Sequence, residues 1–185
     1  MKVRQLFNKK SINYIAIIIS ALTLIAFIYQ TSVISEQQRL SVYPHLMFNN
    51  QNGGSLNYSY TLSNKGIGPA IIEAFKVTDF KGRVYDDLAL YLMDTLNQKY
   101  HGDFLISNVS TGQLISPGEK IELITFNNNS GFTQIRDSTK AEPIVISNRI
   151  YQLLNQDELL IEVIYKSVYE DSWKVSNKNK IPEEL

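Results

Sequence analysis

The first pattern along the chain is a block rather than a period. Between Ser11 and Ser35 no residue is charged, and Ile, Leu and Ala dominate. About 20 apolar residues, at roughly 1.5 Å rise each, cross a hydrocarbon core of about 30 Å. Lipid offers no partners to backbone N–H and C=O groups, and a helix satisfies them internally. A transmembrane helix is therefore expected over residues 11–34, with the lipid bilayer as its partner. Beyond the block the pattern becomes short alternations. LNYSYTLS puts Leu56, Tyr58, Tyr60 and Leu62 on one face and Asn57, Ser59, Thr61 and Ser63 on the other. A period of two marks a strand with one buried face. AIIEAFKVTDF is a second such segment, with Ile71, Phe75 and Val77 inward. ELLIEVIYKSVY is the strongest, with Leu159, Ile161, Val163 and Tyr165 inward and Glu162 and Lys166 outward.

Weaker segments fill the gaps. EQQRLS, residues 36–41, is a polar stalk, and SVYPHLMF follows as an edge or first strand because Pro44 cannot donate a ladder hydrogen bond. NKGIGP is a loop in which Gly66 and Gly68 are free to take positive φ. RVY, FLISNV, KIELITF and SWKVS read as further strands, and Pro117-Gly118 is a turn. Helical spacing appears twice. In DDLALYLMDTLNQKY, Leu88, Tyr91, Leu92 and Leu96 share a face, Asp86 or Asp87 can cap the start, and Lys99 suits the far end. SNRIYQLLN is a short helix capped by Ser147, with Ile150, Leu153 and Leu154 inward, after a polar loop over 127–143. The expected fold is mainly β: one antiparallel, immunoglobulin-like β-sandwich over 42–176 with one or two helical insertions. A basic tail (1–10), the membrane helix (11–34), a stalk (35–41) and a frayed polar tail (177–185) complete the chain.

Charge gives the orientation. Lys2, Arg4, Lys9 and Lys10 precede the apolar block, and no acidic residue occurs before Glu36. Basic flanks stay cytoplasmic, and Tyr14 and Tyr29 lie near the two ends, where such rings favour the interface. The block outruns the roughly 7–15 residues of a signal h-region, and Val33-Ile34-Ser35 is a poor cleavage site. The expectation is an uncleaved anchor in a plasma membrane, N-terminus inside, C-terminal domain periplasmic or extracellular. That domain carries 14 Lys and Arg against 18 Asp and Glu, a formal charge of −4. Nucleic acid and anionic lipid both want a basic face, so neither is an expected partner. The chain has no cysteine. That removes disulfides, thiolate metal sites, cysteine nucleophiles and lipoprotein processing, and leans toward a bacterial source.

Candidate chemistry is sparse. The two histidines, His45 and His101, lack the spacing of a zinc motif, and His101-Gly102 reads as a helix end, although Asp103 beside it offers a second ligand. Asp79, Asp86 and Asp87 lack the alternation of a calcium loop and read as a turn followed by a cap. GIGP lacks the Lys-Ser/Thr of a phosphate loop, and no serine sits in a GxSxG elbow. No cofactor, metal or enzymatic activity is expected. Of the aromatic residues, Tyr58, Tyr60 and Tyr165 fall on core faces. Tyr169 and Trp173 flank a turn and form the candidate interaction surface.

Three short segments together have a familiar look: Ser41-Val42-Tyr43-Pro44, the loop Asn64-Lys65-Gly66-Ile67-Gly68-Pro69-Ala70, and a Tyr-x-Ser-x-Tyr-x-Asp-x-Trp stretch from Tyr165 to Trp173 with Ile164 just before it. With the basic start and single span, the chain resembles a group of uncharacterised bacterial single-pass membrane proteins with an extracytoplasmic sandwich domain. That group has no known activity, so the resemblance implies no catalytic or binding residues. The expected function is a displayed domain that binds another envelope protein. Binding of a carbohydrate or envelope polymer through Tyr169 and Trp173 is the alternative, with a hydrolase a distant third.

Overall fold

The computed structural model describes residues 9–97, 104–126 and 142–185, and divides into two units, 1–41 and 42–185. The first is one helix, α1 (Lys9–Leu40). Its Ile12–Leu40 stretch, with mean hydropathy 2.2, is long and apolar enough to cross a membrane. Ser20, Thr23 and Thr31 donate to the carbonyls of Ala16, Ile19 and Phe27, one turn back, so these three hydroxyl protons are paired within the helix. The helix runs on through the segment expected as a stalk, whose EQQRL residues are themselves good helix formers.

The second unit holds two antiparallel sheets around one shared apolar core, compatible with a sandwich. The four-stranded sheet has the order β1 (Leu46–Gln51), β2 (Ser59–Asn64), β7 (Lys120–Thr125), β5 (Leu105–Ile106). The larger sheet has the order β10 (Glu183–Glu184), β9 (Ser172–Ser176), β8 (Leu160–Lys166), β3 (Ala70–Thr78), β4 (Val84–Tyr85), with β6 (Leu114–Ile115) also on β3. Helix α2 (Leu88–Thr95) follows β4, and α3 (Pro143–Leu154) precedes β8. The core takes Leu46, Phe48, Tyr58, Tyr60 and Leu62 from one sheet and Ile72, Phe75, Val77, Ile161, Val163 and Tyr165 from the other.

Several expectations hold to the residue. Leu159, Ile161, Val163 and Tyr165 are buried, as are Leu88, Tyr91, Leu92 and Leu96. The Asp87 carboxylate caps α2, accepting from the Leu90 N–H at 2.7 Å. Others are corrected. Ile71 is only half-buried and Ile72 is buried instead, because the register with β8 shifts between Ile72 and Ala74. A bulge inserts one residue and moves everything before it to the other face. Thr61 and Ser63, expected in solvent, are buried. β2 is an inner strand, and these small side chains lie between Asn49, Met47, Glu122 and Lys120 on its neighbours. Ser147 is no cap. Pro143 starts α3 four residues earlier, where a missing N–H costs nothing, and the buried Ser147 hydroxyl donates to the Ser55 carbonyl at 2.7 Å. Residues 177–185, expected to fray, carry β10, and the Asn177 amide binds Ile161 N and Leu159 O across the hairpin. The expected helix end with Lys99, and the loop over 127–141, lie outside the described residues.

Tyr60 is buried and stacks on Phe48 with ring centroids 5.6 Å apart. Its hydroxyl has no hydrogen-bond partner among the described residues, and burial pushes its pKa far up. A buried unpaired hydroxyl costs free energy and contributes no bond in return. Tyr60→Phe is therefore expected to leave the melting temperature of the domain unchanged or raise it, by about 1 kcal/mol at most in stability. A clear loss of stability in thermal unfolding would mean that the hydroxyl is bonded.

Candidate functional site

The two residues singled out by the sequence sit at one hairpin but in different surroundings. The turn between β8 and β9 is closed by Ser167 N–H to Asp171 O at 2.9 Å and by Glu170 N–H to Ser167 O at 3.2 Å, with Glu170 at φ +67°. Tyr169 projects from it and is 46 % exposed. Trp173 is 7 % exposed. Its ring stands edge-on to Tyr43, with centroids 5.1 Å apart, and 5.9 Å from Tyr165. The hairpin thus presents one aromatic ring to solvent, and the indole closes the end of the core.

That end of the domain is organised by Asn64. Its side chain is fully buried and makes four hydrogen bonds. Oδ1 accepts from His45 N at 3.2 Å and Gly66 N at 3.0 Å. Nδ2 donates to Gly68 O at 2.8 Å and Ile115 O at 3.0 Å. Its backbone adds bonds to Glu119 O and from Gly118 N. The amide therefore ties the entering segment Val42–His45, the glycine loop, β6 and the Pro117-Gly118 turn into one unit. The loop glycines serve this close approach and not, as expected, a positive φ: neither Gly66 nor Gly68 has one. A Cβ on Gly68 would overlap the Val42 carbonyl, and one on Gly66 would overlap the Tyr43 carbonyl and the His45 nitrogen. Nothing in the sequence pattern marks Asn64 beyond its place in the loop motif. His45 is half-buried beside this clasp, its ring centroid 6.2 Å from that of Tyr43.

The opposite end carries a charged network. Asp79 is buried and accepts from Lys81 N at 2.8 Å, Arg83 N at 2.9 Å and Arg83 Nε at 2.8 Å. Arg83 also pairs with Asp94 on α2 at 2.7 Å, and the Tyr85 hydroxyl donates to Asp94 at 2.6 Å. The bond to Asp94 is the main cause that pushes the Tyr85 hydroxyl up to about 12. Burial works against the Asp79 charge, but the Arg83 and Lys81 bonds outweigh it and hold the carboxyl below its usual range. Asp94 is likewise lowered, first by the Tyr85 hydroxyl and then by Arg83. The turn after β3 and helix α2 are thereby fixed to each other. Beside the network, Phe80, Val84, Leu90 and Met93 are exposed. Phe80, Val84 and Met93 each adjoin a network residue in sequence, and Leu90 lies one turn from Met93 on α2.

The acidic residues considered for metal chemistry have other work. Asp79 faces Arg83, Asp87 caps α2, and Asp86 is exposed. Among the described residues no group of three His, Asp or Glu side chains gathers as a cation site. His101 and Asp103 lie outside the described residues.

Because the folded-state pKa of Asp79 is depressed, its contribution is present above the ordinary value of 3.8 and is lost as the pH falls through the lowered one. The domain is expected to lose melting temperature on acidification below about pH 4, with Asp79→Asn already destabilised at pH 7 and its melting temperature flatter over that window. Parallel acid profiles for the two proteins, measured by thermal unfolding, would contradict the assignment.

Comparison with family models, with curated proteins and with solved structures finds no match to this chain.

Proposed function

We propose that the chain is a bacterial single-pass membrane protein that displays a non-catalytic, immunoglobulin-like sandwich to bind another envelope protein. α1 is its uncleaved anchor, with the N-terminus cytoplasmic and the domain in the periplasm or outside the cell. The apolar Ile12–Leu40 stretch supports the anchor, and the four basic residues before it support the orientation. The observation that carries the binding reading is the group Phe80, Val84, Leu90 and Met93, exposed beside the Asp79–Arg83–Asp94–Tyr85 network. Each such side chain offers about 1.5–3 kcal/mol on full burial. A rigid mount lowers the ordering cost of binding. Apolar side chains rimmed by satisfied charges have the make-up of a protein interface. The carbohydrate reading rested on an aromatic strip at the hairpin, and Trp173 is covered, which leaves Tyr169 alone.

The test is site-specific photocrosslinking in the native membrane, from Phe80 or Met93 and from Glu122 on the four-stranded sheet as control. Phe80 and Met93 are expected to yield one common protein adduct that Glu122 does not, weakened when Arg83→Ala releases the mount. Identical patterns from all three positions would sink the reading.

A further inference from the structure

A strand at the edge of a sheet presents backbone groups that its own sheet cannot pair. Among the described residues, three of these edges are short. β5, β4 and β10 have two residues each, and β10 is Glu183-Glu184. β1 differs. It has six residues, none of them charged, proline or glycine, and it pairs with β2 over its whole length without a bulge. The devices that ordinarily blunt an edge are missing from it. Bonds at its start fix which groups face outward. The Lys65 N–H donates to the His45 carbonyl at 2.7 Å, so these two residues form a hydrogen-bonded pair. Such pairs alternate along an antiparallel ladder. Met47, Asn49 and Gln51 therefore direct their backbone groups to β2, and Leu46, Phe48 and Asn50 direct theirs away from it. β2 agrees, since the N–H of Asn64, opposite Leu46, turns from β1 to the Glu119 carbonyl. The Leu46 N–H is taken by the Tyr165 hydroxyl at 3.3 Å. The backbone groups of Phe48 and Asn50 have no partner among the described residues.

We propose that β1 pairs with β1 of a second copy of this chain, antiparallel about a twofold axis at Asn49, so that two four-stranded sheets join edge to edge. In that register Phe48 of each copy faces Asn50 of the other, and the two residues exchange both N–H···O bonds. The open groups lie two positions apart, which is the spacing a twofold pairing centred on Asn49 requires. Charge favours a copy as the occupant. A twofold axis sets a strand against itself, so a charge near it would stand close to its like. Neither β1 nor its neighbour β2 carries one. At the axis the two Asn49 side chains meet. Each Nδ2 gives one proton to the Ser63 hydroxyl at 2.9 Å, which leaves a proton and the oxygen for the amide of the other copy. Met47 of each copy faces Gln51 of the other. The contact is one strand wide, the scale of a weak and reversible association. It uses a different surface from the Phe80 group, which lies at the β4 side of the larger sheet, and it does not depend on the role of α1.

The chain has no cysteine, so single replacements report the pairing directly. The full chain is prepared in detergent as Met47→Cys, Asn49→Cys and Gln51→Cys and oxidised with copper phenanthroline. Cα atoms across a non-hydrogen-bonded pair lie about 4.5 Å apart, within disulfide reach. Asn49→Cys should therefore form a covalent dimer. Met47→Cys alone and Gln51→Cys alone should not, since each lies about 13 Å along the strand from its own counterpart. A mixture of those two should form one, because they face each other. Asn50→Pro removes an outward N–H and leaves the ladder to β2 intact, so adding it to Asn49→Cys should abolish the dimer. The mixture tests the same register with the Asn49 side chain and its bond to Ser63 in place, and decides the matter should Asn49→Cys not fold. A covalent dimer from neither Asn49→Cys nor the mixture would overturn the pairing. So would equal dimers from all three single variants, or an Asn49→Cys dimer that survives Asn50→Pro.

Discussion

One buried amide holds the entering end of the domain together. The Asn64 side chain uses both lone-pair directions of its oxygen and both protons of its nitrogen, on four backbone groups from three segments. Each of those groups would otherwise be a backbone donor or acceptor deprived of its water, at a cost of about 1–3 kcal/mol apiece. The clasp dictates the residues around it. Gly66 and Gly68 are bare because the Val42–His45 backbone lies where a side chain would be. Pro44, with no N–H to place, passes its carbonyl toward the Tyr165 hydroxyl at 3.5 Å, and the same hydroxyl receives the Leu46 N–H at 3.3 Å. The first strand is thus stitched to both sheets before its ladder begins.

Much of this fold was legible in the sequence, and the limits were physical. Period-two segments such as β8 report themselves because one face is in the core and the other in water. Asp87 was legible because a cap is a local interaction. The phase of β3 was not, since the bulge before Ala74 leaves no signature among small and branched residues. β6 escaped because its two residues follow a turn with no alternation around them, and β10 because it lies in a polar tail. The start of α3 was hidden by reading Pro143 as a loop residue, when proline at the first turn is a helix signal. The clasp was the least legible of all. Its partners lie 2, 4, 19 and 51 residues away, so the loop motif showed that something was fixed there and not what.

The candidate site divides along the same line. Tyr169 and Trp173 were chosen because they flank a turn, and turn proximity does not fix burial: one ring points out and the other closes the core. The Arg83 network was missed because its members look like ordinary surface charges, and only the approach of α2 to the turn after β3 brings Asp94 to Arg83. The result is a domain with two rigid ends. One is set by a neutral amide clasp where the chain arrives, and the other by an ion-paired turn at the far end of β3. The proposed protein partner belongs to the second of these ends.

The entering end of the domain stands on the Asn64 clasp, and amide hydrogen exchange in the native state reads it directly. The His45 and Gly66 amides, which donate to the Asn64 oxygen, and the Lys65 amide, which donates to the His45 carbonyl at 2.7 Å, should exchange only as the whole domain opens. Their opening free energies should then match that of the Ile161 amide in the core hairpin. Exchange of these three amides orders of magnitude faster than at Ile161, by local fraying of the entering strand, would contradict it.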